Sequence, residues 1–193
     1  MIILGLTGSI GMGKSTVVAQ FKQCGATVVD ADALVHQLLS PKGAAFAAVA
    51  EVFPQAVENG QINRQILGKN VFAEDTALAV LESILHPLTF AAMVGQAQQA
   101  RLLGAKIVVM EVPLLFEKGF DVLCDAVAVV TAPTFIQRQR VLKRKGMTAQ
   151  KLQQILRHQL PDAEKRKRAD AVIHTGLGKA HSFRQVQALL KVF

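Results

Sequence analysis

The chain opens on an apolar run, Ile2 to Leu6, bounded by glycine. That pattern suits a strand buried on both faces of a parallel sheet. From Lys14 to Cys24 the apolar positions Val17, Val18 and Phe21 fall at helical spacing, and Gly25 supplies the expected terminator. "ATVVD" then predicts a second strand ending at Asp30. Strand, glycine-rich loop, helix and strand in thirty residues make a βαβ unit.

From Asp32 to Gly104 the periodicity is helical, with stops at Pro41 and Pro54 and a turn at Asn59-Gly60. "AEDTALAVLESIL" begins with acids in its first turn and is predicted to break at His86-Pro87. A separate helix is then expected from Leu88 to Leu103. "KIVVMEV" and "AVAVVTA" return to strand character on either side of "PLLFEKGFD". After Ala132-Pro133 a helix rich in arginine and lysine runs toward Gly146, and Thr148 caps a further helix, Ala149 to Leu160, that stops at Pro161. "ADAVIH" reads as the last strand and His181 to Val192 as a closing amphipathic helix. No internal repeat or low-complexity tract interrupts this order.

Composition narrows the picture. With 193 residues the chain supports one full core with a small appended lobe, and 51% hydrophobic content excludes general disorder. Ten Phe with no Trp or Tyr weigh against base stacking on aromatic platforms. The formal net charge of +8, concentrated between Arg138 and Arg168, fits an anionic partner. Cys24 and Cys124 are far apart and lack metal-ligand spacing, so they read as reduced thiols of a cytoplasmic protein. No uninterrupted apolar stretch approaches the roughly 18 residues of a membrane span, so no membrane partner is expected.

The densest chemistry lies in "GSIGMGKST", Gly8 to Thr16, which fits G-x-x-x-x-G-K-[ST] between a strand and a helix. Gly8, Gly11, Met12 and Gly13 let successive backbone amides face phosphate oxygens, and the helix that follows adds its dipole. Lys14 neutralises β- and γ-phosphates, the Ser15 hydroxyl is placed to ligate Mg²⁺, and Thr16 completes the loop. Asp30 and Asp32 fall at the carboxyl end of the second strand, where open α/β sheets bind ligands. Asp32 there can accept a proton from an acceptor hydroxyl or hold Mg²⁺ through water, and it can also cap the helix at Ala33. Glu111 closes the third strand and is a candidate to organise the metal through water. Arg140 and Arg144, four apart, are expected on one helix face, closing over a transferred phosphoryl group. His86, at the proline break, is a substrate-binding candidate. The basic "EKRKRAD" reads as a solvated helix face.

Missing motifs sort the nucleotide-binding classes. Neither D-x-x-G nor N-K-x-D occurs, nor an LSGGQ-like stretch, which points away from GTPases and transporter ATPases and toward a small-molecule kinase. "LTGSIGMGKST", "VVDADALVHQL", "LHP", "PLLFE", "QRQR" with Arg144 following, and "ADAVI", in this order, resemble the dephospho-CoA kinase family over nearly the whole chain. The resemblance implies an α/β P-loop fold on a five-stranded parallel sheet, with a core at about residues 1–31, 105–135 and 169–193. It also implies a helical CoA-binding lobe at about 32–104 and a lid at about 136–168.

The implied reaction is transfer of the ATP γ-phosphoryl group to the ribose 3′-hydroxyl of dephospho-CoA. The implied roles are ATP binding for Gly11 to Thr16, base for Asp32, and lid arginines for Arg140 and Arg144. Leu114, Leu115, Phe116 and Glu117 match an acceptor-side segment. Three positions depart from the family pattern: Glu111 stands where many members have Asp, Ile155 replaces the usual Arg, and Thr175 replaces the usual Asn. A P-loop kinase of another metabolite, such as a nucleoside monophosphate or sugar acid, is the alternative within enzymes. A nucleotide-dependent RNA-binding module is the alternative outside them. With ATP and dephospho-CoA as partners no nucleic acid is required, and a monomer or small homo-oligomer is expected.

Overall fold

The apolar run at the N-terminus forms β1 (Ile2–Thr7), followed by the glycine-rich loop, α1 (Lys14–Gln23) and β2 (Thr27–Asp30). Next come α2 (Ala31–Leu38), α3 (Phe46–Val52), β3 (Val57–Glu58), β4 (Gln61–Ile62), α4 (Arg64–Ala73) and the long α5 (Asp75–Leu102). The chain then runs through β5 (Ile107–Glu111), β6 (Ala126–Thr131), α6 (Thr134–Leu142), α7 (Ala149–Arg157), α8 (Asp162–Lys167), β7 (Ala171–His174) and α9 (Lys179–Val192). These elements come from a computed structural model that describes residues 1–192. They divide into two units, one holding Met1–Val29 and the chain from Ala97 onward, the other Asp30–Gln96.

In the first unit five parallel strands are ordered β2-β5-β1-β6-β7. β1 lies in the middle, with Leu4 opposite Val109 on one side and Ala126 on the other. β6 is buried at every position because helices cover both faces of the sheet, which is why its sequence alternates so little. Leu4, Leu6, Val17, Phe21, Val130 and Val186 join one apolar core. The strand order reverses around β1, so the crevice at its carboxyl end is the natural ligand position, and the glycine-rich loop emerges there.

The second unit is built on a separate core that includes Val49, Phe53, Leu67, Val71, Leu81 and Leu85. The Asn59-Gly60 turn joins β3 to β4 as a two-residue hairpin, and both residues have positive φ (50° and 72°), as a type I′ turn demands.

The break predicted at His86-Pro87 is wrong, and the helix predicted from Ala149 to Leu160 ends at Arg157. α5 passes through Pro87 without a break, as a single 28-residue helix. Proline removes its own N–H and crowds the preceding turn, a cost of about 3 kcal/mol in a helix interior. Leu81 and Leu85 before it and Met93 after it are all buried, and each such side chain returns roughly 1.5–3 kcal/mol, so packing on both sides outweighs the local break. The fusion also gives Thr76–Leu102 the length and mean hydropathy (1.7) of a membrane span, unlike the two shorter helices read from the sequence. Core helices of globular proteins meet the same criterion.

Candidate active site

The phosphate-loop glycines lie where no other residue fits easily. Gly11 and Gly13 have φ of 77° and 91°, in the left-handed region that penalises a side chain. A Cβ at Gly8 would meet the Val130 carbonyl oxygen at 2.5 Å, so the loop lies directly on the end of β6. Met12 turns its side chain inward, 3% exposed, and its sulfur accepts a hydrogen bond from the Ala132 N–H at 3.2 Å. Met12 therefore offers only backbone to a ligand. Lys14 and Ser15 occupy the first turn of α1, where helix N–H groups have no partner within the helix, and the Ser15 side chain is exposed.

Glu111, at the carboxyl end of β5, faces the loop lysine, with Lys14 Nζ 2.7 Å from Glu111 Oε1. Both side chains are largely buried, at 16% and 13% exposure. The loop thus holds its cation against a carboxylate on the strand that neighbours β1.

Arg140 reaches the loop from the other side. Its Nη1 donates to the Thr175 hydroxyl at 2.9 Å and its Nη2 to the Thr175 carbonyl at 2.8 Å. Arg144 does not share the Arg140 helix face as expected, because α6 ends at Leu142. Lys143, Arg144 and Lys145 are consecutive like charges leading to Gly146 at φ 74°, a sequence that favours leaving the helix. Both arginines nevertheless line one cavity of about 380 Å³ with Gly11, Gly13, Ser15, Thr16 and Thr175. Loop backbone, the Lys179 ammonium and two guanidinium groups around such a space suit a nucleotide polyphosphate.

Asp30 and Asp32 divide the tasks left open by the sequence. The Asp30 carboxylate caps α2 by accepting from the Ala33 N–H at 3.0 Å, so Asp32 is not the cap. Asp32 sits in the first helical turn with an exposed side chain. His86 lies half-buried on α5.

The segment after β5 is tied into the core. Leu115 is wholly buried beside Gly5 of β1, and Phe116 receives the Arg168 guanidinium 5.8 Å above its ring. Glu117 Oε1 accepts from the Leu160 N–H and pairs with Lys165 Nζ, both at 2.8 Å. Lys165 is 0% exposed, so the solvated reading of "EKRKRAD" fails at that residue. Its ammonium also donates to the Pro113 carbonyl at 3.3 Å, and that carbonyl accepts from the Thr7 hydroxyl as well.

Several of these ties involve residues that sequence reasoning passed over. Gln137 Nε2 donates to the Ile10 carbonyl at 2.8 Å, while the Ile10 N–H donates to Gln159 Oε1 at 3.1 Å. One loop residue is thereby held from α6 and from the end of α7. No local signal marks Gln137 within the arginine- and lysine-rich helix, and only the three-dimensional neighbour supplies its partner.

The comparisons with known proteins agree with this geometry. A sequence model of the dephospho-CoA kinase family matches residues 2–179. Dephospho-CoA kinases of Novosphingobium aromaticivorans and Rhodospirillum rubrum are each 48% identical to this chain, covering 98% of it and 93% and 90% of their own lengths. Among solved structures, the Thermus thermophilus protein TT1252 superimposes with a TM-score of 0.87 at 34% identity, covering 100% of this chain and 97% of its own. The dephospho-CoA kinase of Campylobacter jejuni gives 0.74 at 26% identity, covering 98% and 95%. Shikimate kinase from Bacteroides thetaiotaomicron, at 14% identity and a TM-score of 0.52, shares the fold. The chain belongs to the dephospho-CoA kinase family.

Proposed function

We propose that this chain transfers the ATP γ-phosphoryl group to the ribose 3′-hydroxyl of dephospho-CoA. The carrying observation is the cavity where Gly11, Gly13 and Ser15 of the glycine-rich loop meet Arg140 and Arg144, with Lys14 of the same loop held against Glu111. Phosphoryl transfer asks a protein mainly to position groups and offset charge. Loop amides hold the phosphates, and Lys14 exchanges part of its bond to Glu111 for the terminal phosphate oxygens. Arg140 and Arg144 stabilise the negative charge of the transferring group.

Asp32, exposed in the first turn of α2, orients or deprotonates the acceptor hydroxyl. Leu114 and Phe116, anchored through Leu115 and Glu117, are acceptor-side residues of the sheet unit, and His86 is one of the helical unit. On this reading the helical segment at about residues 32–104 serves as the CoA-binding lobe, and the chain at about 136–168 as the lid that excludes water.

Mg²⁺ fits the donor set. Among the described residues no group of three or more His, Cys, Asp or Glu is arranged to hold a metal. Mg²⁺ in kinases is held by substrate phosphates, water and one or two protein oxygens rather than by a protein cage. The Ser15 hydroxyl would be one such ligand and Glu111 another through water. When bound, the ion neutralises β- and γ-phosphate charge.

A coupled assay of ADP release across candidate acceptors tests the assignment. Dephospho-CoA should be strongly preferred over nucleoside monophosphates and sugar acids, with CoA identified by mass as the product. Equal or greater turnover with another acceptor would transfer the chain to the alternative kinase reading.

A further inference from the structure

The turn that follows β7 brings a buried hydroxyl to the phosphate loop. Thr175 is 5% exposed, and its Oγ1 lies 2.5 Å from the Met12 carbonyl oxygen and 2.9 Å from Arg140 Nη1. A guanidinium only donates, so the hydroxyl must accept from Arg140. Its single proton then goes to the Met12 carbonyl, which is closer than the alternative acceptor, Thr131 O at 3.3 Å. A directed chain results, from guanidinium to hydroxyl to loop carbonyl.

The same residue holds Arg140 a second time, through its own carbonyl, and Arg140 Nη1 also approaches the Gly11 carbonyl at 3.4 Å. Thr175 is itself fixed by its N–H to Thr131 O at 2.9 Å, at the end of β6. The loop passes so near that a Cβ on Gly13 would meet Thr175 Oγ1 at 2.9 Å and Arg140 Nη1 at 3.1 Å.

We infer that Thr175 is a positioning residue: its hydroxyl fixes the Arg140 guanidinium against the phosphate loop, so that the remaining donors of the fork face the nucleotide. An arginine side chain carries about 2 kcal/mol of rotamer entropy, which a phosphate contact would otherwise have to overcome on each binding event. Held at three acceptors, Arg140 is pre-organised before nucleotide arrives. The proposal rests on the kinase reading for the role of Arg140, though not on the identity of the acceptor.

Its test is a double-mutant cycle on the full chain, read by calorimetry with a non-hydrolysable ATP analogue and by thermal unfolding. Thr175→Val keeps the shape and deletes the hydroxyl, and should weaken nucleotide binding by about 10-fold, the scale of a hydrogen bond to a charged group. Thr175→Ser should stay within about 3-fold of wild type, because the donor and acceptor remain. In an Arg140→Ala background, Thr175→Val should change affinity by less than about 2-fold, since coupled residues are non-additive. A merely structural threonine would lower the melting temperature while costing the same factor with and without Arg140. That additivity, or a Thr175→Val affinity equal to wild type, would overturn the inference. If Thr175→Val does not fold, Thr175→Cys, whose thiol is a weak partner, is judged by the same two criteria. Wild-type protein that binds the analogue but does not phosphorylate dephospho-CoA would sink the acceptor assignment and leave the Thr175 coupling standing.

Discussion

The two units are held together by different physics. In the sheet unit, side chains bond across long sequence separations: Lys14 to Glu111, Gln137 and Gln159 to Ile10, Arg140 to Thr175, and Lys165 to Glu117. In the unit from Asp30 to Gln96 the core is apolar, and bonds such as Asn63 to Glu58, Asp30 to the Ala33 amide and Ser83 to the Val80 carbonyl join near neighbours. Long-range polar ties fix atoms to fractions of an ångström, which charge stabilisation in phosphoryl transfer requires. Apolar packing sets the shape of a surface that a substrate can meet. Precision is concentrated around the phosphate loop.

The comparison breaks first if the helical unit supplies chemistry as well as shape, and Asp32 is its catalytic candidate. Asp32→Asn should lower kcat by about 10²–10⁴-fold, the range of general-base catalysis, while the binding constant for an ATP analogue is unchanged. Unimpaired turnover would remove Asp32 from the reaction and confine the chemistry to the sheet unit. Lys14→Ala, in the sheet unit, should cost at least about 10²-fold in kcat by removing an electrostatic stabiliser, and near-normal turnover would contradict the loop assignment.

Stability sharpens the contrast further. Lys165→Met leaves Glu117 buried without its cation, and removing one partner of such a pair typically costs about 3–5 kcal/mol. Among the described residues Glu117 Oε2 already finds no partner, so little slack remains. Replacing both residues, as Lys165→Met with Glu117→Leu, should recover much of that loss in urea unfolding, because two apolar side chains avoid the desolvation of two ions. If the double variant is no more stable than the single, the pair is not the interaction being measured. In the helical unit the sensitive residue is apolar. Leu67→Ala should cost about 2–5 kcal/mol, whereas Asn63→Ala, which deletes the cap of α4, should cost about 1 kcal/mol. Equal losses from these two would mean that packing does not dominate that unit.

The same contrast explains what the sequence revealed. The strands, the phosphate loop and its lysine were legible because their signals are local: apolar runs, glycines at φ-demanding positions, and a cation at fixed spacing. Glu111 was legible as a strand-end acid, although its ion pair with Lys14 was not. Pro87 misled because a local breaker was weighed without the burial of Leu85 and Met93 around it. Lys165 misled because a charge run reads as solvated until a distant carboxylate is brought to it. Thr175 showed only as an unusual residue at its position; its partners Met12 and Arg140 are brought to it by the sheet topology.

Thiol reactivity probes how rigidly the sheet unit is closed. Cys124 follows a 3₁₀ turn, and a Cβ on Gly5 of β1 would lie 2.7 Å from its sulfur. Burial, reinforced by the carboxylates of Asp121 and Asp125, pushes its thiol from 9.0 up to about 12. Because the folded protein keeps a proton that the unfolded chain loses, the contribution of the neutral thiol is fully present below pH 9. It declines as pH rises from there toward 12. The thiolate is the reactive form, so at pH 8 iodoacetamide should alkylate Cys124 about 10²–10³-fold more slowly in the folded protein than in urea. Peptide mass spectrometry over a time course reads this directly. Equal rates in the two conditions would mean that the segment beside β1 opens freely, and the contrast between a precisely closed sheet unit and a packed helical one would fail there.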